Sequence, residues 1–460
     1  MSIPGDNAAG HAGSAAGSGA EELKARVCAA IDAAAGRITG LSDDIMRHPE
    51  VGYRETRTAG VVAEAFGALG LKPETGLART GVKARMSGRS AGPTVGVLGE
   101  LDSLIVPDHP YADPETGAAH ACGHNAQIAS MVGAGIGLGA VMGDLDGDVV
   151  LFAVPAEECL ETDWRFALRD RGEIHHTAGK AELIRRGHFD DVDLAMLTHA
   201  GPATPPLAIG GSGNGSLVKR VRFRGRSAHA GASPWAGVSS YKAATVAIAA
   251  IDAHREMFRD GENIRVHHLI TSSGAAVSAI PAVTEMEMMI RARSVEAMQE
   301  VSERVDRALR GGALAMGADV DIDTAVSFLP FEDDAPLASL AVPNARALVG
   351  DRLEIAGGNF GASTDMGDLG RVMPVFQPFA ASGTDAPFHG NVFHTADHHA
   401  AAVVPAKLMA MTAVDLLVNG AAAARDVLAR SGPKLSRAEF VALHDSLARS
   451  ETFRGGLSEG

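Results

Sequence analysis

Cysteine is scarce in this chain, which has only three among 460 residues. Cys28, Cys122 and Cys159 are too few, and odd in number, to form a disulfide framework, so we expect a reducing compartment, the cytoplasm. Basic runs are missing as well, and the formal net charge is −15. Because nucleic acids and anionic membranes are bound through clustered Lys and Arg, the sequence predicts neither as a partner.

Long apolar runs are also missing. Gly, Asp or Glu interrupts the most apolar segments within about a dozen positions, whereas a membrane span needs ~20 apolar residues. Residues 1–20 are mostly Gly, Ala and Ser without the hydrophobic stretch of a signal peptide, and we expect a disordered tail there. The phosphate-binding Gly-x-x-x-x-Gly-Lys-Ser/Thr and His-Glu-x-x-His motifs do not occur, which removes the enzyme classes that depend on them. Gly88-Arg-Ser-Ala-Gly92 matches Gly-x-Ser-x-Gly but comes before the predicted strand 93–100 rather than between a strand and a helix, so it is not a nucleophile elbow.

Apolar periodicity alternates between strand and helix in the first part of the chain. The predicted order is strand 93–100, helix 126–141, strand 148–154, helix 180–186 and strand 192–197. A glycine cluster at 210–215 marks a domain boundary, and a βαββαβ order follows over 217–325. The sequence therefore predicts an α/β domain, formed by 21–213 and 329–460, that is interrupted by an inserted α+β domain at 214–328.

The segment His-Ala-Cys-Gly-His-Asn at 120–125 places a thiol and an imidazole two residues apart at the start of a predicted helix. Thiolate and imidazole are ligands for zinc and similar divalent ions. The intervening Gly123 permits a tight turn in which Cys122 and His124 converge on one ion or on a pair. By itself the motif fits a metal site and an unreactive cysteine near a helix start equally well.

Three more polar residues follow predicted strands at the same sheet edge. Glu157 and Glu158 come directly after one strand, and His199 follows the next. Because α/β proteins place ligands where parallel strands end, these side chains are expected to approach the thiol–imidazole pair. Adjacent carboxylates point in different directions, so one can hold a metal while the other acts as general base. Singly, each also fits a solvated turn or a structural histidine, and only their shared position favours a site.

Histidines elsewhere offer further candidates. The run before the last long helix contains His389, His394, His398 and His399. Any one of them can supply one more metal ligand, and residue type does not choose among them. In the inserted domain, a small-residue loop presents His229, which fits either an oxyanion-stabilising group or an ordinary turn histidine.

Together these segments resemble the metal-dependent aminoacylase and carboxypeptidase superfamily, in particular its amidohydrolase branch, which includes aminobenzoyl-glutamate hydrolase and auxin-conjugate hydrolases. The motifs that carry the resemblance are His48-Pro-Glu50, Gly99-Glu-Leu-Asp102, Ala121-Cys-Gly-His-Asn125, Pro155-Ala-Glu-Glu158, Gly187-His-Phe-Asp-Asp-Val-Asp193, Ser227-Ala-His229, Ile290-Arg291 and Ala362-Ser-Thr-Asp-Met-Gly367. Their order and spacing are specific, although no single motif is. The resemblance implies a mixed-sheet catalytic domain of the zinc-peptidase type with an inserted lid and dimerisation domain.

The resemblance also implies roles for individual residues. Two divalent ions, zinc or manganese, would be held by Cys122, His124, Glu158, His199 and His394. Glu157 would take the proton of a metal-bridging water that attacks an amide carbonyl, and Asp102 would orient a ligand. His229 would polarise that carbonyl in a partner subunit of a homodimer, and Arg291 would hold a carboxylate of the small-molecule substrate.

Two segments depart from the pattern of that family. Residues 159–179 replace a short glycine-rich link, and we expect this segment to reshape the pocket through Trp164, Arg165, His175 and His176. Ser278 precedes Ala279-Ile280-Pro281, whereas the family often carries Asn before Ile-Pro. The family's usual contact to the substrate backbone is therefore not carried over, and Ser278 is the candidate substrate-binding residue at this position. Three functions therefore stay open: hydrolysis of an N-acyl amino acid or aryl-amide conjugate, hydrolytic deamination of a small aromatic or heterocyclic amine, and metal binding without turnover. Glu157 beside Glu158 argues against the last.

Overall fold

The computed structural model describes residues 16–456. Its helices are α1 (Ala16–Ala33), α2 (Ala35–Met46), α3 (Thr56–Ala68), α4 (His124–Gly139), α5 (Thr162–Asp170), α6 (Gly179–Arg185), α7 (Ser240–Ala253), α8 (Val295–Met316), α9 (Ala335–Val349), α10 (Met366–Val372), α11 (Val404–Leu417), α12 (Ala422–Arg430) and α13 (Arg437–Leu447). Of the tail predicted for residues 1–20, residues 1–15 lie outside the described residues. Residues 16–20 belong to α1, which continues through the helix formers that begin at Glu21.

The strands follow the same chain order. They are β1 (Glu74–Leu77), β2 (Gly81–Ser87), β3 (Ser90–Glu100), β4 (Leu104–Ile105), β5 (Ala118–Ala119), β6 (Asp146–Val154), β7 (Leu194–Met196), β8 (His199–Gly201), β9 (Leu207–Ile209), β10 (Ser212–Gly213), β11 (Gly215–Arg224), β12 (Arg265–Ser273), β13 (Val283–Ala292), β14 (Asp319–Phe328), β15 (Phe331–Glu332), β16 (Leu353–Ile355), β17 (Val375–Phe376), β18 (Phe379–Ala381) and β19 (Arg449–Arg454). The strands and helices predicted from periodicity lie close to these bounds.

The larger domain is built on a six-stranded sheet with the order β1-β2-β6-β3-β7-β17. Strands β6, β3, β7 and β17 run parallel, whereas β2 pairs antiparallel with both β1 and β6. The second half of β3 and most of β6 are buried, as expected for strands covered on both faces. The prediction of a mixed-sheet α/β fold is therefore confirmed.

Helices α4 and α11 pack at the centre of the layer that covers this sheet. Helix α4 approaches its neighbours closely through glycines, because a Cβ at Gly135 would lie 2.5 Å from Leu151 and one at Gly137 would lie 2.8 Å from Ile31. The segment 399–417, which includes α11, is the one stretch within residues 16–456 that is long and apolar enough to span a membrane, contrary to our expectation. Some 78% of it is buried, as in the core helix of a globular domain.

The inserted domain has the predicted βαββαβ order, with α7 and α8 packed together on one face of its sheet. That sheet has five strands in the order β12-β13-β11-β14-β19 rather than the four expected. The fifth, β19, comes from the C-terminal segment and pairs antiparallel with β14. Its residues Arg-Ser-Glu-Thr-Phe-Arg are mostly polar and half-exposed, so no apolar period marks them as a strand.

The segment 437–456, which we call the C-terminal strap, joins the two domains. Phe440 and Leu447 of α13 are buried among residues of α6, α10 and β14. Salt bridges connect the strap to the catalytic domain through Arg437–Asp190 at 2.6 Å and Arg185–Asp445 at 3.1 Å, and to the inserted domain through Arg310–Glu451 at 2.7 Å. The strap therefore contributes to both domains.

Candidate active site

The ends of the parallel strands bring the predicted polar residues together. Asp102 follows β3, Glu157 and Glu158 follow β6, and His199 opens β8 just after β7. Cys122 and His124 approach from the start of α4, where Gly123 has φ 86°, in the left-handed region that favours glycine. A Cβ on Gly123 would also lie 2.5 Å from that of Ala200. Glycine is therefore needed there for both reasons.

Donor atoms of these residues form overlapping clusters, within each of which all atoms lie within 4.8 Å of one another. The clusters are Cys122–His124–His199, Cys122–Glu158–His389 and Glu100–His124–Glu157. The first two clusters share Cys122. His124 Nε2 and Glu158 Oε1 are buried without a hydrogen-bond partner among the described residues, as expected for atoms that bind an ion. Thiolate, imidazole and carboxylate donors fit zinc and related divalent ions.

Asp102 is buried at the back of this cluster and contacts two of its members. Its backbone carbonyl accepts a hydrogen bond of 2.9 Å from His124 Nδ1, which also lies 3.2 Å from Asp102 Oδ1. Its Oδ2 accepts the backbone N–H of Glu158 at 2.8 Å. With Nδ1 engaged as a donor, His124 keeps the lone pair of Nε2 for a metal. Asp102 therefore fixes the ring of one donor residue and the backbone of another.

A buried charge network that our sequence reasoning missed lies beside the cluster. Lys180 Nζ is 2.5 Å from Glu100 Oε1 and also contacts Asp365, and all three side chains are at most 1% exposed. Burial alone would raise the pKa of Glu100, but Lys180 and His124 outweigh it and lower the pKa to about 2. Glu100 is thus an anion 3.2 Å from His124 Nε2. The available signal was that Glu100 and Asp365 lie inside the motifs quoted above.

Glu157 has the opposite electrostatic environment. Burial, followed by the nearby carboxylates Glu100 and Glu158, raises the pKa of Glu157 well above its ordinary value. The carboxyl group therefore holds a proton readily unless positive charge is close by. Such a group is suited to taking a proton from a polarised water and giving it up again.

A cavity of about 610 Å³ opens beside the cluster. Its apolar wall includes Leu160, Met289, Phe328, Phe360, Phe379 and Phe388. Arg291 is the only Lys or Arg that lines it, and Arg291 Nε is buried without a hydrogen-bond partner among the described residues. Burial lowers the pKa of Arg291, and Glu158 opposes this effect. The cavity thus combines a large apolar surface with a single guanidinium.

The C-terminal histidine in the cluster is His389 and not His394. His389 Nε2 lies 3.4 Å from Glu158 Oε1, and the His389 backbone N–H donates to Ala121 O at 2.9 Å. The His394 ring instead packs at 5.6 Å against Tyr111, and its Nδ1 is 3.1 Å from Val392 O. His389 has φ 63°, and this turn brings its ring to the cluster. The ring that lies beside Glu158 is therefore that of His389, while the assignment of His394 as a ligand stays a prediction.

The segment 159–179 reaches the cavity only through Cys159 and Leu160. Trp164 lies 3.9 Å from the Arg54 guanidinium and packs with Tyr53, because α5 turns this face toward the catalytic domain. On another side of α5, Phe166 contacts Val218 and Ala325 of the inserted domain. Arg165, His175 and His176 do not line the cavity either. The expectation that these side chains reshape the pocket is wrong, since the helix connects the two domains instead.

Ser278 and His229 lie side by side in the inserted domain and are both exposed. The carbonyl of Ser278 accepts the backbone N–H of Ala230 at 2.8 Å, and neither predicted residue lines the cavity of its own chain. His229 Nδ1 accepts the backbone N–H groups of Gly231 at 3.1 Å and Ala232 at 3.0 Å. In the neutral ring, the proton is therefore on Nε2.

Known proteins share both domains of this chain. Residues 213–315 match the family model described as a peptidase dimerisation domain. The chain is 29% identical to mouse Xaa-Arg dipeptidase over 87% of its own length and 90% of that protein. It is 28% identical to one of the polypeptides of p-aminobenzoyl-glutamate hydrolase of Escherichia coli over 62% of this chain and 57% of that one. It is also 25% identical to N-acetylcysteine deacetylase of Bacillus subtilis over 62% and 73%.

The chain is thus similar over most of its length to metal-dependent hydrolases of the M20 type. The YXEP protein of Bacillus subtilis, a dinuclear metal-binding peptidase of the M20 family, has the same fold with a TM-score of 0.63 at 22% identity, over 84% of this chain and 99% of that one. An aminobenzoyl-glutamate utilization protein from Klebsiella pneumoniae gives 0.64 at 18% identity, over 84% and 97%. Since these structures are covered almost completely, this chain carries segments that they lack.

Proposed function

We propose that this enzyme hydrolyses the amide of an N-acyl amino acid or aryl-amide conjugate that bears a free carboxylate. Its relatives are a dipeptidase, an aminobenzoyl-glutamate hydrolase and an N-acetylcysteine deacetylase, and a structural neighbour is a dinuclear metal-binding peptidase, which supports metal-dependent hydrolysis of amide bonds. The observation that carries the finer assignment is Arg291, whose buried Nε has no hydrogen-bond partner among the described residues and which lines an apolar cavity beside the donor cluster. A carboxylate is the group that such a guanidinium binds best. The four Phe rings would then face the acyl or aryl group.

The chain's residues divide the work between holding metal and moving a proton. Two divalent ions, zinc or manganese, would be held by Cys122, His124, Glu158, His199 and His389. When bound, they would supply a polarised water and a Lewis acid for the carbonyl oxygen. Glu157 takes one proton from that water as its oxygen bonds to the carbonyl carbon. It returns the proton to the nitrogen as the carbon–nitrogen bond breaks, which leaves a carboxylic acid and an amine.

His229 is assigned to a partner subunit's active site in a homodimer. Its exposure and its distance from the cavity of its own chain support this role, and its Nε2–H is a suitable donor to a developing oxyanion. The outer edge of β12 offers a surface for the second copy. Leu269 on that strand is 59% exposed, and the described residues provide no further strand beside it.

One observation favours a second function, hydrolytic deamination of an aromatic amine. The Phe-rich wall also fits a planar ring whose amino-bearing carbon is presented to the same water. An aromatic amine without a carboxylate would leave the Arg291 guanidinium without an anionic group to bind. For that reason we favour amide hydrolysis.

A substrate panel assayed with zinc- or manganese-loaded enzyme separates these functions. N-benzoyl and N-acetyl amino acids are expected to yield acid and amine in equal amounts, and masking the carboxylate as a methyl ester should raise KM. Ammonia release from an aryl amine that lacks an amide would establish deamination instead. If the metal-loaded enzyme turned over no member of the panel, metal binding without catalysis would be the correct description.

A further inference from the structure

An apolar rim surrounds His229 at the exposed end of the inserted domain. Two large side chains there are in water, with Trp235 81% exposed and Val277 103% exposed. They lie on two loops, 225–238 and 274–282, which are joined by backbone hydrogen bonds from Ala230 to Ser278 and from Ile280 to Ala228. His229, Trp235 and Val277 therefore belong to one continuous surface, which we call the His229 rim.

Backbone and side-chain bonds hold Trp235 in a fixed relation to His229. The N–H of Ser233 donates to His229 O at 3.1 Å, and residues Pro234–Ala236 form one tight helical turn. Arg226 Nε donates to Ala236 O at 2.8 Å, and Arg226 also bridges Val238. These bonds close the loop on itself and fix the backbone at Trp235 relative to that at His229.

The exposed indole of Trp235 would be stabilised by burial against another molecule, because no described part of its own chain covers it. Tryptophan gains more from burial than almost any other side chain and is enriched where proteins meet partners. Within residues 16–456, nothing covers it. The cavity beside the donor cluster, with its walls of Phe360, Phe379 and Phe388, has complementary apolar chemistry and is open to solvent on one side.

We propose that Trp235 enters the partner subunit's cavity together with His229 and forms the wall against which the apolar group of the substrate packs. This inference rests on the proposed function, because it requires His229 to act across the dimer. It makes Trp235 a specificity residue, so that a large acyl group gains more from it than an acetyl group does.

Mixed dimers test the inference. A Glu157→Gln subunit supplies an intact His229 rim but no general base, and a His229→Ala subunit supplies an intact cavity, so the heterodimer has one working site. Trp235→Ala is added either to the Glu157→Gln subunit, whose rim serves the working site, or to the His229→Ala subunit. We expect KM for an N-benzoyl amino acid to rise about tenfold in the first arrangement, much more than in the second, with a smaller rise for an N-acetyl amino acid.

The outcomes are distinct. Equal KM changes in the two arrangements, or no change with either substrate in a heterodimer that has regained activity, would overturn the role of Trp235 and leave the proposed function standing. Failure of the parent heterodimer to regain activity would remove the trans role of His229 and this inference with it, while amide hydrolysis by the wild type would remain. Trp235→Phe should restore most of the lost affinity. Leu314→Ala, which removes a 62% exposed side chain of α8 away from the rim, is the matched surface control.

Discussion

The donor cluster and the His229 rim hold their functional side chains in opposite ways. In the cluster, Cys122, His124, Glu157 and Glu158 are at most 7% exposed, and Asp102 orients two of their neighbouring groups. In the rim, His229 and Trp235 are exposed and are ordered by hydrogen bonds within their own loops. The first arrangement is preorganised within one chain. The second is an outward-facing surface, and its side chains can act only when a second molecule binds against them.

Among the substitutions that test this comparison, Glu157→Gln in the donor cluster is expected to have the largest effect on kcat. The amide cannot accept the proton of the attacking water, so kcat should fall about 10⁴-fold while metal content stays the same. Turnover on an N-acyl amino acid and elemental analysis of the purified protein measure the two quantities. Glu64→Gln, at an exposed position of α3, is the matched control. Substantial residual turnover in Glu157→Gln would mean that another group is the base.

Lys180→Met should reveal how much of the cluster's order depends on buried charge. The substitution leaves Glu100 and Asp365 facing each other without a cation, and we expect the free energy of unfolding to fall by about 3–5 kcal/mol at pH 8. Since the pKa of Glu100 in the wild type is lowered to about 2, its stabilising contribution is present above pH ~4.5 and lost as the pH falls toward 2.

The difference between wild type and Lys180→Met should accordingly shrink at low pH, as urea unfolding at pH 3 and pH 8 can measure. Adding Glu100→Gln to the variant should restore part of the stability, because one of the two uncompensated charges is gone. An equal loss of stability at both pH values would show that Lys180 acts through packing alone.

His229→Ala tests the rim side of the comparison and should lower kcat by about 10²-fold. Because the His229 ring is exposed and accepts hydrogen bonds only from its own loop, the melting temperature is expected to stay close to that of the wild type. Calorimetry beside the kinetic assay checks both statements. A variant that loses stability in proportion to activity would place His229 among the structural residues.

The smallest effect per pH unit concerns a buried pair that joins the C-terminal strap to α10, in which His444 Nε2 and Asp368 Oδ1 are 2.7 Å apart. Burial raises the pKa of Asp368 to about 8 and lowers that of His444 to about 3, so at neutral pH the carboxyl proton is shared with a neutral ring. A carboxyl group with a raised folded-state pKa loses its stabilising contribution as pH rises from its unfolded value toward the folded one.

The wild type should therefore lose stability relative to Asp368→Asn as pH rises from about 4 to 8, by up to about 1.4 kcal/mol per pH unit. The amide keeps a donor for His444 but does not titrate. Unfolding free energies of both proteins across this range provide the test. Parallel pH curves would show that Asp368 is ionised in the folded protein.

Much of the cluster could be predicted because strand ends are visible in a sequence. The apolar runs before Glu157 and before His199 end sharply, and parallel strands share their carboxyl edge, so the convergence of these residues with Cys122 and His124 follows from pattern and topology. The βαββαβ domain was predictable for the same reason, since its periods are regular.

The features that could not be predicted lie in loops or depend on contacts between distant segments, which leave no periodic pattern in the sequence. His389 and His394 lie in one irregular loop, and only a turn at His389 decides which ring reaches Glu158. Trp164 belongs to the short helix α5, which lies between the catalytic and inserted domains. The composition of α5 does not indicate which of its faces contacts which domain. Lys180 looked like an ordinary helix residue, because burial of its charge depends on carboxylates far away in the chain.

Strand β19 has a consequence for how the protein reaches its native state. Thr452 bonds to Asp321 across β14 and β19, although the two residues are 131 positions apart in the chain. The other strands of the inserted sheet can form while this distant partner is still unplaced, and closing so long a loop is slow. We therefore expect the sheet to be completed late in folding, after the second half of the catalytic domain has assembled around α11. Until then, the edge of β14 is an unpaired strand and the most vulnerable surface for misassembly.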